Sequence, residues 1–116
     1  MPASPYSAQR TARLLSAAAS DNATLVKSTS GTVKRIAGYN AKASAVYLKL
    51  YDKSSAPTSA DTPRKTYYLP ASTAFALDMD DFYGSGIGYR ITTGSADNDT
   101  GVLVAGDILG LNIDYL

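Results

Sequence analysis

The sequence predicts an all-β fold, an antiparallel β-sandwich of the jelly-roll kind, and three observations lead to this prediction. All ten acidic residues are aspartate, which favours turns, and glutamate, which favours helix interiors, is absent. Nine tyrosines and nine glycines accompany many threonines and valines, a composition typical of strands joined by tight turns. Short runs of alternating apolar and polar residues recur along the chain, with turn-forming clusters between them.

The first twenty residues are interpreted as an extended N-terminal arm, and residues 21–116 as the sandwich domain. Residues 1–12 are rich in Pro, Ser and Ala without periodicity, and residues 13–19 allow a short helix. The apolar part is too short, and too interrupted by Ser16, to predict a signal peptide. No stretch approaches the ~20 apolar residues of a membrane helix. Arg10 and Arg13 make the arm a candidate partner-binding segment that could lie across a neighbouring subunit.

Seven strand-like runs follow the arm, and their alternation predicts which side chains face the core. The clearest run is 45–53, where Val46, Leu48 and Leu50 share the inner face. The other runs lie at 23–28, 32–41, 64–69, 73–79, 87–93 and 107–116. Further inward positions are predicted for Phe75, Leu77, Met79, Ile87, Tyr89, Ile91, Leu109, Leu111, Ile113 and Tyr115. Residues 54–63 and 94–101 are predicted loops, and Asp80 and Asp81 a turn. This spacing of strands is typical of a sandwich or barrel.

The residues needed for common catalytic chemistry are missing, so the sequence predicts neither an enzyme nor a cofactor. Without histidine or cysteine, a Ser-His-Asp triad, a Cys-His pair and a zinc or iron–sulfur site cannot be assembled. The cluster Asp78, Asp80 and Asp81 could act as paired carboxylates, but aspartates bonded to the backbone amides of a turn explain it better. A small aspartate-dependent enzyme is therefore the least favoured alternative.

Two loops have the composition of ligand sites. Asp97 and Asp99 are candidate calcium ligands, because calcium takes oxygen ligands from a turning loop. The further acids and the glycine of an EF-hand are missing, and a surface turn explains the segment more simply. The GSGIG run at residues 84–88 lacks the helix that follows a phosphate-binding loop, so a tight turn or bulge is the favoured interpretation.

The outward tyrosines are the remaining candidates for partner binding. If Tyr47, Tyr51 and Tyr67 are exposed, they are candidates for a partner surface, since tyrosine is enriched at protein–protein interfaces. Cross-strand packing of these tyrosines is the favoured explanation. The net charge of +1 is too balanced to predict binding to nucleic acid or to a membrane surface.

Several phrases of the sequence resemble one known group of proteins. The runs YLKLYDK, APT and DTP, followed by YRITTGSADNDT and AGDILGLNIDYL, resemble small virion proteins of tailed bacteriophages and prophages. The resemblance covers residues 23–116 and excludes the N-terminal arm. It implies a structural component of the particle and transfers no functional residues.

Within that group, the resemblance leaves three roles open: a capsid decoration, or cement, protein, the base of a head fibre or spike, or a tail-associated protein. A decoration protein that binds the outer shell as a homotrimer is the favoured role. Its partners would be the major capsid protein and copies of itself, and its location the capsid surface, after assembly in the host bacterial cytoplasm. A receptor- or carbohydrate-binding module of a tail or head fibre is the alternative, with Tyr47, Tyr51, Tyr67 and the Asp97 loop as its ligand face.

Overall fold

The computed structural model describes residues 9–116, which form eight strands. They are β1 (Arg10–Ser16), β2 (Thr24–Lys27), β3 (Gly31–Asn40), β4 (Val46–Asp52), β5 (Lys65–Leu69), β6 (Thr73–Tyr83), β7 (Ile87–Thr92) and β8 (Ile108–Tyr115). Every pairing between them is antiparallel. No helix among these residues is long and apolar enough to cross a membrane.

The strands form two four-stranded sheets, ordered β1-β8-β3-β6 in the first sheet and β2-β7-β4-β5 in the second. The pairs β1–β8, β2–β7, β3–β6 and β4–β5 are those of one long hairpin that turns between β4 and β5. Rolling such a hairpin up adds the contacts β3–β8 and β4–β7 and gives the jelly roll. The predicted antiparallel sandwich is therefore confirmed.

The core lies between the inner faces of the two sheets. Val46, Leu48 and Leu50 are fully buried, as the alternation of β4 predicts. They pack in one cluster with side chains of β7 and the first sheet, among them Ile87, Ile91, Val33, Ile36 and Ile113. Burial of such side chains, at roughly 25 cal/mol per Å² of apolar surface, is the main stabilising contribution to a fold that has no disulfide.

The sandwich includes residues that the sequence assigned to the arm. Residues 10–16 form β1, which pairs with β8, and they form no helix. Ala12 and Leu14 of β1 pack against the core, so a domain boundary at residue 20 would remove an edge strand from the first sheet. Residues 1–8 of the predicted arm lie outside the described residues.

The predicted turn at Asp80 and Asp81 is wrong, because β6 continues through both residues to Tyr83. Its aspartates are held in the strand by cations of neighbouring strands. Lys34 and Arg35 of β3 pair with Asp80 and Asp78, at 2.7 and 2.8 Å. A register shift between β3 and β6 at this point marks a bulge, which is how a strand accommodates an irregular stretch without ending.

The predicted inward position of Leu109 is also wrong. Gly110 takes a φ of +59°, and the register between β3 and β8 shifts between Ala37 and Tyr39. This irregularity reverses the alternation, so that Ile108 is buried and Leu109 is exposed. Glycine is the residue that adopts positive φ most readily.

Candidate functional site

The outer faces of the two sheets differ in how far loops cover them. On the outer face of the second sheet, the 53–63 loop seats Pro57 against Gly88, where a Cβ atom would lie 2.9 Å from the proline Cδ. The 93–101 loop crosses the same face further along, where Lys49 donates to the carbonyl of Ala96. We call this surface the covered face, and the outer face of the first sheet the open face.

A group of charged side chains is buried beneath the 93–101 loop. Lys49 and Arg90 are cross-strand neighbours, and they are 0% and 1% exposed. Arg90 donates to Asp21 at 2.8 Å, to the Tyr51 hydroxyl at 3.0 Å and to the carbonyl of Asp99 at 2.8 Å. These bonds connect β7 to the segment before β2 and to the loop, so the group holds the covering segment in place.

Tyr51 is therefore not available as an exposed partner-binding residue, because its side chain is only 1% exposed. Burial raises its pKa above the ordinary value, although the hydrogen bond from Arg90 acts in the opposite direction. The alternation of β4 does place Tyr51 on the outer side of the sheet. The sequence does not show that two loops fold back over that side.

Tyr67 is turned inward, and its neighbour Tyr68 is the exposed tyrosine of β5. Tyr67 packs against the core, with its hydroxyl 3.6 Å from the Met79 sulfur. Tyr68 is 62% exposed and lies opposite the half-buried Tyr47, with ring centroids 5.7 Å apart and ring planes at 64°. This edge-to-face pair is a cross-strand contact. Because the two rings are not coplanar, they do not form a flat aromatic platform, and a ligand could stack on one ring only.

The Asp97–Gly101 segment is a loop, as predicted, and the carboxylate of Asp99 is used within it. That carboxylate accepts the backbone N–H groups of Gly101 at 2.8 Å and Gly94 at 3.3 Å. Asp97 is exposed. Within residues 9–116, no group of three or more acidic side chains is placed to hold a metal ion.

Residues 84–86 of the GSGIG run form the turn between β6 and β7, in agreement with the favoured interpretation, and its last two residues begin β7. Asp52 accepts backbone N–H groups from Gly84, Ser85 and Gly86, at 3.1, 2.8 and 3.4 Å. The bond from Ser85, followed by those from the glycines, lowers the pKa of the Asp52 carboxyl below its ordinary value. The anion that these amides bind is thus a side chain of the protein itself.

Asp81 takes part in an ionic cluster that joins the two sheets along one side. Its carboxylate lies 3.1 Å from both Arg64 and Lys65, which belong to or adjoin β5. Arg64 also lies over the ring of the buried Tyr83, 5.1 Å from the centroid. Burial strongly raises the pKa of Tyr83. The cluster closes the side of the sandwich where the edge strands β5 and β6 meet.

On the open face, side chains form rows across the four strands. One row is charged and includes Thr11, Asp114, Arg35 and Asp78, with Thr11 donating to Asp114 at 2.7 Å. The next row is mixed and consists of Arg13, Asn112, Ala37 and Ala76. The loops within residues 9–116 leave these rows uncovered, and most of their side chains are exposed.

The third row of the open face is apolar. Tyr39 pairs with Leu109 on one side and Ala74 on the other, and Leu109 pairs with Ser16, next to Leu15. All four apolar side chains are exposed, and Leu15 is 72% exposed. We call Leu15, Tyr39, Ala74 and Leu109 the apolar patch. Exposed apolar residues grouped in this way mark interaction surfaces more often than scattered ones do.

The candidates from the arm and those from the tyrosines fall on different surfaces. Both arginines lie on β1, where Arg13 borders the open face and Arg10 has the alternation of the core-facing Ala12 and Leu14, whereas Tyr47 lies on the covered face. Sequence reasoning missed the apolar patch, because Leu109 was assigned to the core and Leu15 to an arm. The Gly-containing stretch at 109–110 was the one local signal of an irregular strand.

Comparison with known protein families, curated proteins and solved structures gives no match to this chain. No pocket was detected among the residues that the structure describes. The outer surfaces of the two sheets are therefore the candidate functional surfaces.

Proposed function

We propose that this chain is a structural protein of a tailed-bacteriophage virion, a capsid decoration protein that binds the outer shell as a homo-oligomer through its open face. The observation that carries the proposal is the apolar patch, which stays exposed on one sheet while loops cover the other. The resemblance of residues 23–116 to small phage virion proteins supplies the virion context. The jelly roll is compatible with this role but does not establish it, since one fold serves many functions.

A decoration protein acts by binding, and no chemical step is required. Contacts that span adjacent major capsid subunits stabilise the assembled shell, because a ligand that binds only one state shifts the equilibrium towards that state. The apolar patch would supply the dry centre of such a contact, and the charged row beside it the polar rim. A homotrimer, as the resemblance implies, would multiply weak contacts through avidity.

The proposal is tested by co-sedimentation of the purified protein with empty shells of the major capsid protein from the same gene cluster. We expect the wild-type protein to sediment with the shells, and the double variant Tyr39→Asp, Leu109→Asp to bind at least about tenfold more weakly. Tyr68→Asp on the covered face is the control and should bind as wild type. Light scattering after size exclusion gives the oligomeric state. Failure of the wild-type protein to bind shells would contradict the proposal.

Recognition of a carbohydrate or host receptor is the second candidate, and exposed Tyr68 is the observation that favours it. Its ring stands beside Tyr47 on the surface that also carries the 93–101 loop. A glycan-binding screen would support this function if binding were seen and then lost in Tyr68→Ala. The 64° between the two rings makes stacking of a sugar across both of them unfavourable.

A further inference from the structure

Of the four edge strands, β1 is the one best suited to accept another strand. Natural sheets protect their edges with short strands, prolines, bulges and charges. β2 has four residues and a register shift, β5 lies between Pro63 and Pro70, and β6 has a register shift and outward aspartates. By contrast, β1 pairs with β8 in constant register over seven residues and contains no proline.

The direction of the backbone groups on β8 shows which amides of β1 face outward. Leu116 and Thr32 exchange both of their backbone hydrogen bonds, so the amide of Leu116 points to β3. In an antiparallel ladder the direction alternates, and the amide of Ile113 therefore points to β1, where its partner is Ala12. The residues on either side of Ala12, Thr11 and Arg13, then direct their N–H and C=O groups to the free edge.

The side chains along this edge are basic and apolar. Among the described residues, neither Arg10 nor Arg13 has a carboxylate within ion-pair distance. Leu15, two residues after Arg13, faces outward beside it and belongs to the apolar patch. A strand that continued the sheet would place its own side chains opposite this pair.

A second copy of the chain is a poor occupant of the edge. Two copies could pair β1 with β1 in antiparallel orientation, with both open faces on the same side. In every register that keeps most of the strand paired, the two Arg13 side chains would then lie directly opposite or diagonal to each other. Like charges at such positions are destabilising. A segment of a different protein could instead carry carboxylates, which would neutralise the charges of Arg10 and Arg13.

We propose that the free edge of β1 is a docking strand for an extended acidic segment of another protein. Under the proposed function, on which this inference rests, the capsid shell displays that segment. The partner strand would pair through the outward backbone groups of Thr11 and Arg13. The partner strand carries a carboxylate opposite Arg13 and an apolar side chain opposite Leu15. These two side chains are two residues apart and lie on the same face of the partner strand. This is strand addition, in which main-chain bonds give affinity and side chains give specificity.

The first test uses a synthetic peptide and amide NMR of the full chain. The probe is a capped ten-residue peptide in which threonine alternates with glutamate and valine, and the control peptide has lysine in place of glutamate. We expect the glutamate peptide to shift the amide signals of Thr11 and Arg13 and to slow their hydrogen exchange. Shifts centred elsewhere, no binding, or equal binding of the lysine peptide would overturn the proposal.

Variants separate the backbone contribution from the charge. Thr11→Pro removes one outward N–H and no bond to β8, and it should abolish peptide binding. Its matched control, Thr11→Ala, loses the same side-chain bond to Asp114 and should still bind. Arg13→Gln should weaken binding about fivefold to tenfold. Ser55→Asp, which changes the net charge equally in an exposed loop of the covered face, should leave binding unchanged.

The outcomes for the edge and for the proposed function are distinguishable. If circular dichroism shows that Thr11→Pro is unfolded, the Arg13→Gln variant and the lysine peptide still test whether the edge of β1 binds an acidic strand. If wild type and Thr11→Pro bind shells equally, the docking strand is excluded and shell binding stands. If the wild-type protein binds the peptide but not the shells, β1 is a docking strand and the shell is excluded as its partner. A concentration-dependent dimer that Thr11→Pro abolishes would assign the edge to a second copy and overturn the proposal.

Discussion

Lys49 and Arg90 lie side by side beneath a loop, but their surroundings differ. Arg90 binds a carboxylate, a hydroxyl and a backbone carbonyl, whereas the ammonium of Lys49 donates to the single carbonyl of Ala96. Burial, followed by the charge of Arg90, lowers the pKa of Lys49 below its ordinary value of 10.5. A buried charge without an ion pair destabilises a fold unless hydrogen bonds compensate for its desolvation.

We therefore expect Lys49→Met to stabilise the protein by about 1 kcal/mol near pH 7. The folded state binds the Lys49 proton less tightly than the unfolded state does. The stability of the wild-type protein should consequently rise with pH between the lowered pKa and 10.5. The difference in the free energy of unfolding between wild type and Lys49→Met should therefore decrease over that range. Urea denaturation between about pH 7 and about pH 9.5 measures this difference.

Lys34→Met is the matched control, because Lys34 forms an exposed ion pair with Asp80. Such pairs contribute less than about 1 kcal/mol, so this variant should show little change. A loss of more than about 1 kcal/mol in Lys49→Met would mean that the bond to Ala96 holds the loop more strongly than the buried charge destabilises it.

Asp81 presents the opposite case, a buried carboxylate with two cations. Burial alone raises its pKa, but the hydrogen bond from Arg64 and the nearby ammonium of Lys65 outweigh burial, and the pKa lies below the ordinary 3.8. We expect Asp81→Asn to lower the free energy of unfolding by about 1–2 kcal/mol at neutral pH. Because the folded pKa is depressed, this contribution is complete above 3.8 and is lost as the pH falls through the folded value.

Denaturation of wild type and Asp81→Asn at about pH 7 and about pH 3 measures this effect. Asp80→Asn, which removes the exposed pair with Lys34, serves as the control and should cost less than about 1 kcal/mol. If Asp81→Asn and Asp80→Asn lowered the free energy of unfolding equally, the burial of Asp81 would not matter to stability.

At the scale of the secondary-structure elements, β1 decides where the domain begins. Removal of residues 1–20 would take away β1 and also the bonds Ala17–Ile108, Gly106–Ala17 and Leu103–Ser20. We expect a chain of residues 21–116 to lose at least about 3 kcal/mol of stability, because Ala12, Leu14 and Ala17 leave the core.

A chain of residues 9–116 is the comparison, and we expect it to melt at a clearly higher temperature than the chain of residues 21–116, because it retains β1. Thermal denaturation followed by circular dichroism distinguishes the two truncations. If residues 21–116 proved as stable as the longer chain, β1 would be dispensable to the sandwich and the boundary at residue 20 would be correct.

At the scale of the whole molecule, the rolled-hairpin topology pairs the first strand, β1, with the last, β8. Arg10 pairs with Tyr115, and Thr24 pairs with Tyr89, so most strand pairings close long loops. Folds dominated by such non-local contacts fold in milliseconds to seconds. We expect stopped-flow refolding from urea to fall in that range, whereas refolding in microseconds would contradict the dominance of long-range pairing.

The sequence by itself determined the class of the fold and the inner faces of most strands. Alternation placed Val46, Leu48 and Leu50 in the core, because a strand turns successive side chains to opposite sides. It also located β2 to β5, β7 and β8 to within a few residues. These features depend on near neighbours in the chain, which a sequence displays directly.

Only the tertiary structure decided which outer face is covered. Whether Tyr51 is buried depends on how the 53–63 loop folds back over β4 and on the path of the 93–101 loop, which is distant from β4 in sequence. Leu109 faces outward because Gly110 reverses the alternation. The run 10–16 is a strand because β8, about a hundred residues later, offers it an edge. Contacts between distant segments are set by packing of the whole chain, so no local pattern revealed the open face or the edge of β1.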